Sequence, residues 1–228
     1  MISCQSTKST TQNEIAGTSD YLKDLKIELE KEWPDNRTIN LVIHGHSVPA
    51  GYHKTPIVNT LGYYPYQLLT RLKGKYPYAV INIINTSIGG ENSVEGARRF
   101  DSEVLTHKPD VLFIDYSLND RRVGLEKSYK AWQGMIRKAL EMNIKVILMT
   151  PSPDQSVDLL EANNELEQHQ QQVLRFAKEN GLGLIDSYSL FKDKVLAGDS
   201  IAAYMSQSNH PNEKGHLLIA NEALKYFQ

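Results

Sequence analysis

The chain has 228 residues, 40% of them hydrophobic and 23% charged, enough for one well-buried domain and short for two. Its 25 basic and 27 acidic residues leave a formal net charge of -2, which gives no reason to expect nucleic acid or an anionic membrane as partner. No run of 18 apolar residues is present, so no transmembrane segment is expected, and a lone cysteine, Cys4, excludes an intrachain disulfide.

Residues 1–19 are rich in Ser, Thr and Gln and read as a flexible tail or linker ahead of a single domain over 20–228. Met1-Ile2-Ser3-Cys4 resembles the end of a bacterial lipoprotein signal, in which the cysteine after small residues is lipidated, although the charged and apolar parts of such a signal are missing. A lipid anchor at Cys4 implies the bacterial cell envelope or periplasm; an incidental cysteine on a disordered tail leaves the protein cytoplasmic or secreted. From Tyr21, the spacing of Leu22, Leu25, Ile27 and Leu29 predicts a short amphipathic helix ending before Pro34.

Runs rich in Val and Ile then recur: INLVI (39–43), AVINII (79–84), VLFIDY (111–116), KVILMT (145–150) and LGLI (182–185). Runs apolar on both faces suit parallel strands covered by helices. Helical periodicity lies between them. Leu125, Tyr129, Trp132, Ile136 and Leu140 mark 124–142; Leu166, Val173, Leu174 and Phe176 mark 161–179; Leu217, Leu218, Ala220, Leu224 and Phe227 mark a last helix entered near Asn212, behind Pro211. Strands alternating with helices make an α/β fold, a three-layer α/β/α sandwich. Right-handed crossovers leave few topologies, and the flavodoxin-like order 2-1-3-4-5 of a five-stranded parallel sheet is expected.

In such a sheet, ligands bind beyond the carboxyl ends of the strands. The residues found there are His44-Gly45-His46-Ser47, Asn85 through Ser93, Ser117-Leu118-Asn119-Asp120-Arg121-Arg122, Thr150 through Asp154, Asp186-Ser187-Tyr188 and Gln207-Ser208-Asn209-His210-Pro211-Asn212. Each is weak alone. A strand-end Ser is usually a turn or cap residue, a Gly-Gly pair is usually a tight turn, and a His before Pro near the C-terminus is usually superficial. Gathered at one edge of one sheet, they supply a hydroxyl nucleophile, a base and amide donors for an oxyanion.

This set resembles the SGNH subgroup of the GDSL esterase/lipase family. Gly45-His46-Ser47 is similar to its Gly-Asp-Ser block, Asn85–Gly90 to its second block, Ser117-Leu118-Asn119-Asp120 to Gly-x-Asn-Asp, and His210-Pro211-Asn212 to its last block. The resemblance implies Ser47 as nucleophile, His210 as general base, and an oxyanion hole from the backbone N–H groups of Ser47 and Gly90 and the side chain of Asn119. It implies neither a metal nor an organic cofactor. Two departures stand out. His46 replaces the family's Asp, so the contacts holding the nucleophile turn must differ. Gln207 occupies the place of the triad acid, three residues before His210. A Ser47–His210 dyad is then expected, with the Gln207 side chain or a backbone carbonyl orienting the imidazole, or else with Asp154 or Asp186 as a displaced acid. The bland reading makes those two aspartates a turn residue and a helix cap.

The expected substrate is a short-chain ester, chiefly acetyl, of a small molecule or carbohydrate. Tyr52, His53, Lys54, Tyr63, Tyr64 and Tyr66 form an aromatic and basic stretch suited to sugar rings, although the last three would also serve as core. His46, Tyr52 and Glu91 are candidate substrate contacts; Arg98 and Arg99 would meet an acidic substrate or line a solvated helix face. One alternative is a catalytically silent carbohydrate-binding module on the same fold, favoured by the missing acid. The other is a metal-dependent hydrolase built on His44 and His46, which two-residue spacing puts on one strand face; the chain is short for the barrels that use such pairs.

Overall fold

A computed structural model describes residues 14–228; Cys4 and its expected lipid anchor lie outside the described residues. In chain order the helices and strands are α1 (Lys23–Glu30), β1 (Thr38–Gly45), α2 (Ser47–Ala50), α3 (Tyr64–Lys75), β2 (Val80–Asn85), α4 (Ser93–Glu103), β3 (Val111–Asp115), α5 (Leu125–Glu141), β4 (Lys145–Met149), α6 (Glu165–Asn180), β5 (Gly183–Ile185), α7 (Ser187–Leu196), β6 (Met205–Gln207), β7 (His210–Pro211) and α8 (Glu213–Leu224). The sheet has the order β2-β1-β3-β4-β5, with every pair parallel, the flavodoxin-like order expected.

Strand alternation divides the core in two. From β1 and β3, Ile39, Leu41, Ile43, Val111 and Phe113 face one side, where α1, α3, α7 and α8 contribute Leu25, Leu68, Phe191 and Ile219. Val42, Leu112 and Ile114 face the other, against Phe100 of α4, Trp132 and Ile136 of α5 and Phe176 of α6. Local signals bound the helices, although α6 begins at Glu165, four residues later than the periodicity over 161–179 suggests. Asn92 and Glu95 close a capping box at the start of α4, and Gly181 ends α6 in the left-handed conformation at φ 62°.

Two local findings differ from expectation. Residues 14–19 belong to the folded body rather than to a loose tail: the Ala16 N–H donates to the Leu182 carbonyl at 2.9 Å and Lys26 Nζ to the Ser19 carbonyl at 2.7 Å. A two-stranded antiparallel ribbon, β6 with β7, precedes the last helix and carries His210 on its second strand. Among the described residues no helix is long and apolar enough to cross a membrane.

Candidate active site

The nucleophile turn is built by close approach. β1 passes its last residue, Gly45, so near β3 that a Cβ there would meet the Asp115 carbonyl oxygen at 2.5 Å and Pro49 Cγ at 2.7 Å. Gly45 is therefore required for space rather than for an unusual φ. The chain turns at His46 into α2, whose first residue is Ser47. His46 does the work of a cap: its Nδ1 accepts from the Val48 N–H at 3.3 Å. The proton then resides on Nε2, which lies 3.4 Å from Asp115 Oδ1, an ion-pair distance longer than a good hydrogen bond. His46 is fully buried, so it offers a substrate no surface, and the candidate contact at this position is corrected to a support of the turn.

His210 Nε2 sits 2.9 Å from Ser47 Oγ, and His210 Nδ1 sits 3.1 Å from the backbone carbonyl of His53. A carbonyl can only accept, so Nδ1 carries the proton and Nε2 offers its lone pair to the serine hydroxyl. Burial lowers the His210 pKa below the usual 6.5; the His53 carbonyl pulls it up, while the positive forms of His46 and His53 push it down further. The neutral imidazole is thereby favoured.

Gln207, at the position of the family's acid, pairs with His210 through the backbone of the β6–β7 ribbon, but its side chain does not bond to the His210 ring. Its Oε1 accepts from the Thr55 N–H at 2.9 Å. That bond ties β6 to the hairpin running from Gly51 to Asn59, which is closed by the Tyr52–Val58 bridge, His53 N–H to Ile57 O at 3.0 Å and Asn59 N–H to Gly51 O at 2.9 Å. The residue in the acid's place thus holds the loop whose carbonyl stands where a carboxylate would. Asp154 is engaged elsewhere, with Oδ2 2.6 Å from Arg121 Nη2 and Oδ1 accepting from the Ser156 N–H and Oγ. Burial raises its pKa, but Arg121 and Ser156 outweigh that and hold it low. Asp186 caps α7 through the Ser189 N–H and accepts from Thr150 Oγ1 and Gln170 Nε2. Among the described residues, neither aspartate is hydrogen-bonded to His210.

The three groups expected to donate to an oxyanion lie as follows. Ser47 is the first residue of a helix, so its N–H has no intrahelical partner. Gly90 holds φ at +82°, a conformation that L side chains rarely adopt, and a Cβ built there would meet nothing within 4 Å. Asn119 Nδ2 donates one hydrogen to the Glu91 carbonyl at 2.8 Å, which leaves its second hydrogen available. The turn that carries Asn119 is fixed by its neighbour, Asp120: the buried carboxylate accepts from the Ser93 N–H at 2.8 Å and from Trp132 Nε1 at 2.6 Å.

Glu91 is a strut of this arrangement. Its carboxylate takes Arg99 Nε and Nη2 at 2.8 and 2.5 Å and the Tyr116 hydroxyl at 2.8 Å, so its oxygens are occupied rather than turned to a substrate. Arg99 is correspondingly neither solvated nor free. His44 lies beneath, with Nδ1 3.0 Å from Thr86 Oγ1 and Nε2 3.2 Å from the Gly96 carbonyl. Burial, then Arg99, push its pKa down to about 3. Tyr63 and Tyr64 are core, packed on the buried His216. Tyr52 is half-buried, and its ring stands 6.1 Å from that of His210 and lies over Gly89. An open depression of about 320 Å³ collects Ser47, His210, Gly90 and Tyr52 with Thr55, Gln207, Asn209 and Arg122. A larger hollow, about 810 Å³, lies between α5 and α6 and includes none of these residues.

A parallel 2-1-3-4-5 sandwich with a Ser–His hydrogen bond at its carboxyl edge defines the class: an α/β/α hydrolase fold of the SGNH kind. The chain belongs to the GDSL-like Lipase/Acylhydrolase family, whose sequence model matches residues 43–218. It is 23% identical over 193 residues to an acetylxylan esterase of Geobacillus stearothermophilus, covering 79% of this chain and 87% of that one. The crystal structure of an acetylxylan esterase from the same organism superposes with a TM-score of 0.72 at 22% identity, over 83% of this chain and 94% of the other. A two-domain esterase active on acetylated mannans superposes with a TM-score of 0.75 at 23% identity, over 91% of this chain. The chain spans about half of that longer protein, 52% of its length.

Proposed function

We propose that this protein is a serine esterase that removes acetyl groups from carbohydrate, working through a Ser47–His210 dyad whose third partner is the His53 carbonyl. The observation that carries the reading is the hydrogen-bonded line from Ser47 Oγ through the His210 ring to that carbonyl. Ser47 Oγ attacks the ester carbonyl carbon while its proton passes to His210 Nε2. The carbonyl oxygen becomes an oxyanion, held by the N–H groups of Ser47 and Gly90 and by Asn119 Nδ2. Collapse expels the alcohol, which takes the proton from Nε2. A water molecule, activated by the same nitrogen, then releases acetate from the acyl-enzyme.

The relatives support the choice of substrate, since those named above act on acetylated xylan and acetylated mannans. Solved variants of the acetylxylan esterase with a serine or a histidine replaced by alanine are described as catalytic mutants, which supports a Ser–His pair. Tyr52, beside His210, is suited to stack on a sugar ring. The missing acid favoured a silent binding module; a carbonyl on Nδ1 weakens that argument, because it selects the tautomer a base requires. Acetate release from acetylated xylo- and manno-oligosaccharides and from an aryl acetate tests the proposal. No release from any of them by the wild-type protein would sink it.

Two expectations follow from the third partner. A neutral acceptor does not raise the imidazole pKa as a carboxylate does, and burial lowers it. The base is active when neutral, so kcat/KM should rise with pH to a plateau with a midpoint below 6.5. A midpoint above that value would count against the carbonyl arrangement. Asp154→Asn should lower turnover less than about tenfold, whereas a loss near 10³ or more would identify Asp154 as the acid, given the roughly 10⁴ cost of an acid-to-amide exchange in a serine protease.

A further inference from the structure

Three arginines surround the strand ends, and two of them are neutralised. Arg99 pairs with Glu91 and Glu103, and Arg121 pairs with Asp154 and Glu165. Arg122 is different. It is exposed, and its hydrogen bonds go to neutral oxygens: Nη1 to the Gly90 carbonyl at 3.3 Å and Nη2 to Asn119 Oδ1 at 3.4 Å. A guanidinium has five N–H donors, so three remain, and its charge is not cancelled by any salt bridge among the described residues.

Arg122 also lines the depression that holds Ser47 and His210, and no carboxylate lines that depression. In the adjoining hollow, which shares Gly89 and Gly90, the acids are Glu91 and Glu95. Glu91 is neutralised by Arg99, and Glu95 Oε2 is turned to the Asn92 N–H and Nδ2. The exposed Lys54 adjoins Thr55 on the opposite rim. The depression itself therefore presents a cation and no carboxylate, although Glu95 on the adjoining hollow keeps its charge and the chain as a whole carries a net charge of -2.

We propose that Arg122 forms an anion subsite beside the oxyanion donors and selects acetyl esters that carry a carboxylate near the scissile group, as in a uronic acid. A planar guanidinium matches a carboxylate with two parallel N–H···O bonds, and a neutral sugar hydroxyl gains less from it. The inference rests on the esterase reading above and adds the charge of the substrate.

The test compares 4-acetoxybenzoate with its uncharged analogue 4-acetoxybenzamide, for wild type, Arg122→Gln and Arg122→Lys. Expressing each variant relative to wild type on the same ester cancels the difference in leaving groups. Arg122→Gln lowers kcat/KM for both esters, because Gly90 and Asn119 lose a contact. For the anionic ester the fall is about threefold to fivefold larger and lies mainly in KM, the upper end of what an ion pair supplies at an exposed site. Arg122→Lys retains part of the preference, and added salt erodes it in the wild type. An equal fall on both esters, or no change on either, would overturn the anion subsite while leaving the esterase reading intact. Hydrolysis of neither ester by the wild type would overturn both.

Discussion

Ser47→Ala is expected to lower acetyl-ester turnover by about 10⁶, with His210→Ala costing a similar amount and the double variant no worse than either alone; in another serine hydrolase single and combined removals behave in this way. The reason is that the two side chains act as one device. The serine hydroxyl is a weak nucleophile until Nε2, 2.9 Å away, takes its proton. The imidazole without the serine has no acyl acceptor to serve. What survives is binding and the oxyanion donors, which are independent of both. Initial rates on an aryl acetate, with protein concentration fixed by absorbance and melting curves run alongside, measure all three variants. Activity within tenfold of wild type in either single variant would falsify the proposed mechanism, and additive losses in the double variant would show that the two residues serve different steps.

Asn119→Ala should reduce kcat by about 10²–10³ and change KM little, the scale seen when one oxyanion donor is removed. Asn119 is 3% exposed, and one of its two amide hydrogens is fixed by the Glu91 carbonyl. The other can be aimed without further reorganisation at the charge that develops during attack. Since that charge is absent from the ground state, the loss belongs in kcat. A variant that keeps the shape separates a donor from a spacer: Asn119→Asp exchanges the donor for an oxygen that repels an oxyanion and should lose at least as much as alanine. Equal activity of Asn119→Asp and wild type would remove Asn119 from the oxyanion hole. Unchanged melting temperatures would show that neither loss comes from unfolding of the turn held by Asp120.

Much of the fold was legible because its signals are periodic. A strand buried on both faces has to be apolar, as the central β3 is through most of its length, while the edge strand β2 is only partly buried and its run is broken by Asn82. Handedness narrows the order of the sheet to a few topologies, of which the flavodoxin-like one is found. The candidate positions stood out because each proposed role needs a particular side chain: a hydroxyl at 47, an imidazole at 210, an amide at 119. What escaped notice was carried by the backbone or by pairing at a distance. The ribbon β6–β7, of three and two residues, is too short to leave a pattern. Glu91 resembled a substrate contact because its partners Arg99 and Tyr116 lie eight and 25 positions away, and nothing local marks them. Arg122 was indistinguishable from Arg121 until their partners could be compared. Gly45 is needed for room against Asp115, a contact between two strands that nothing local marks.

The carbonyl of His53 has a consequence for how such enzymes change over time. A carboxylate in a triad is a letter of the sequence and can be lost by one substitution. A peptide oxygen belongs to all twenty amino acids, so in the proposed dyad the third partner has no letter to lose. His53→Ala should keep turnover within a few fold of wild type, since the acceptor on Nδ1 survives. Shortening the segment between Gly51 and Asn59 by one residue should cost far more, because it moves the oxygen while leaving Ser47, Gly90, Asn119 and His210 in place. Under the proposed dyad the element exposed to mutation is the length of a loop, and a search that demands an acid three residues before the histidine would discard this chain.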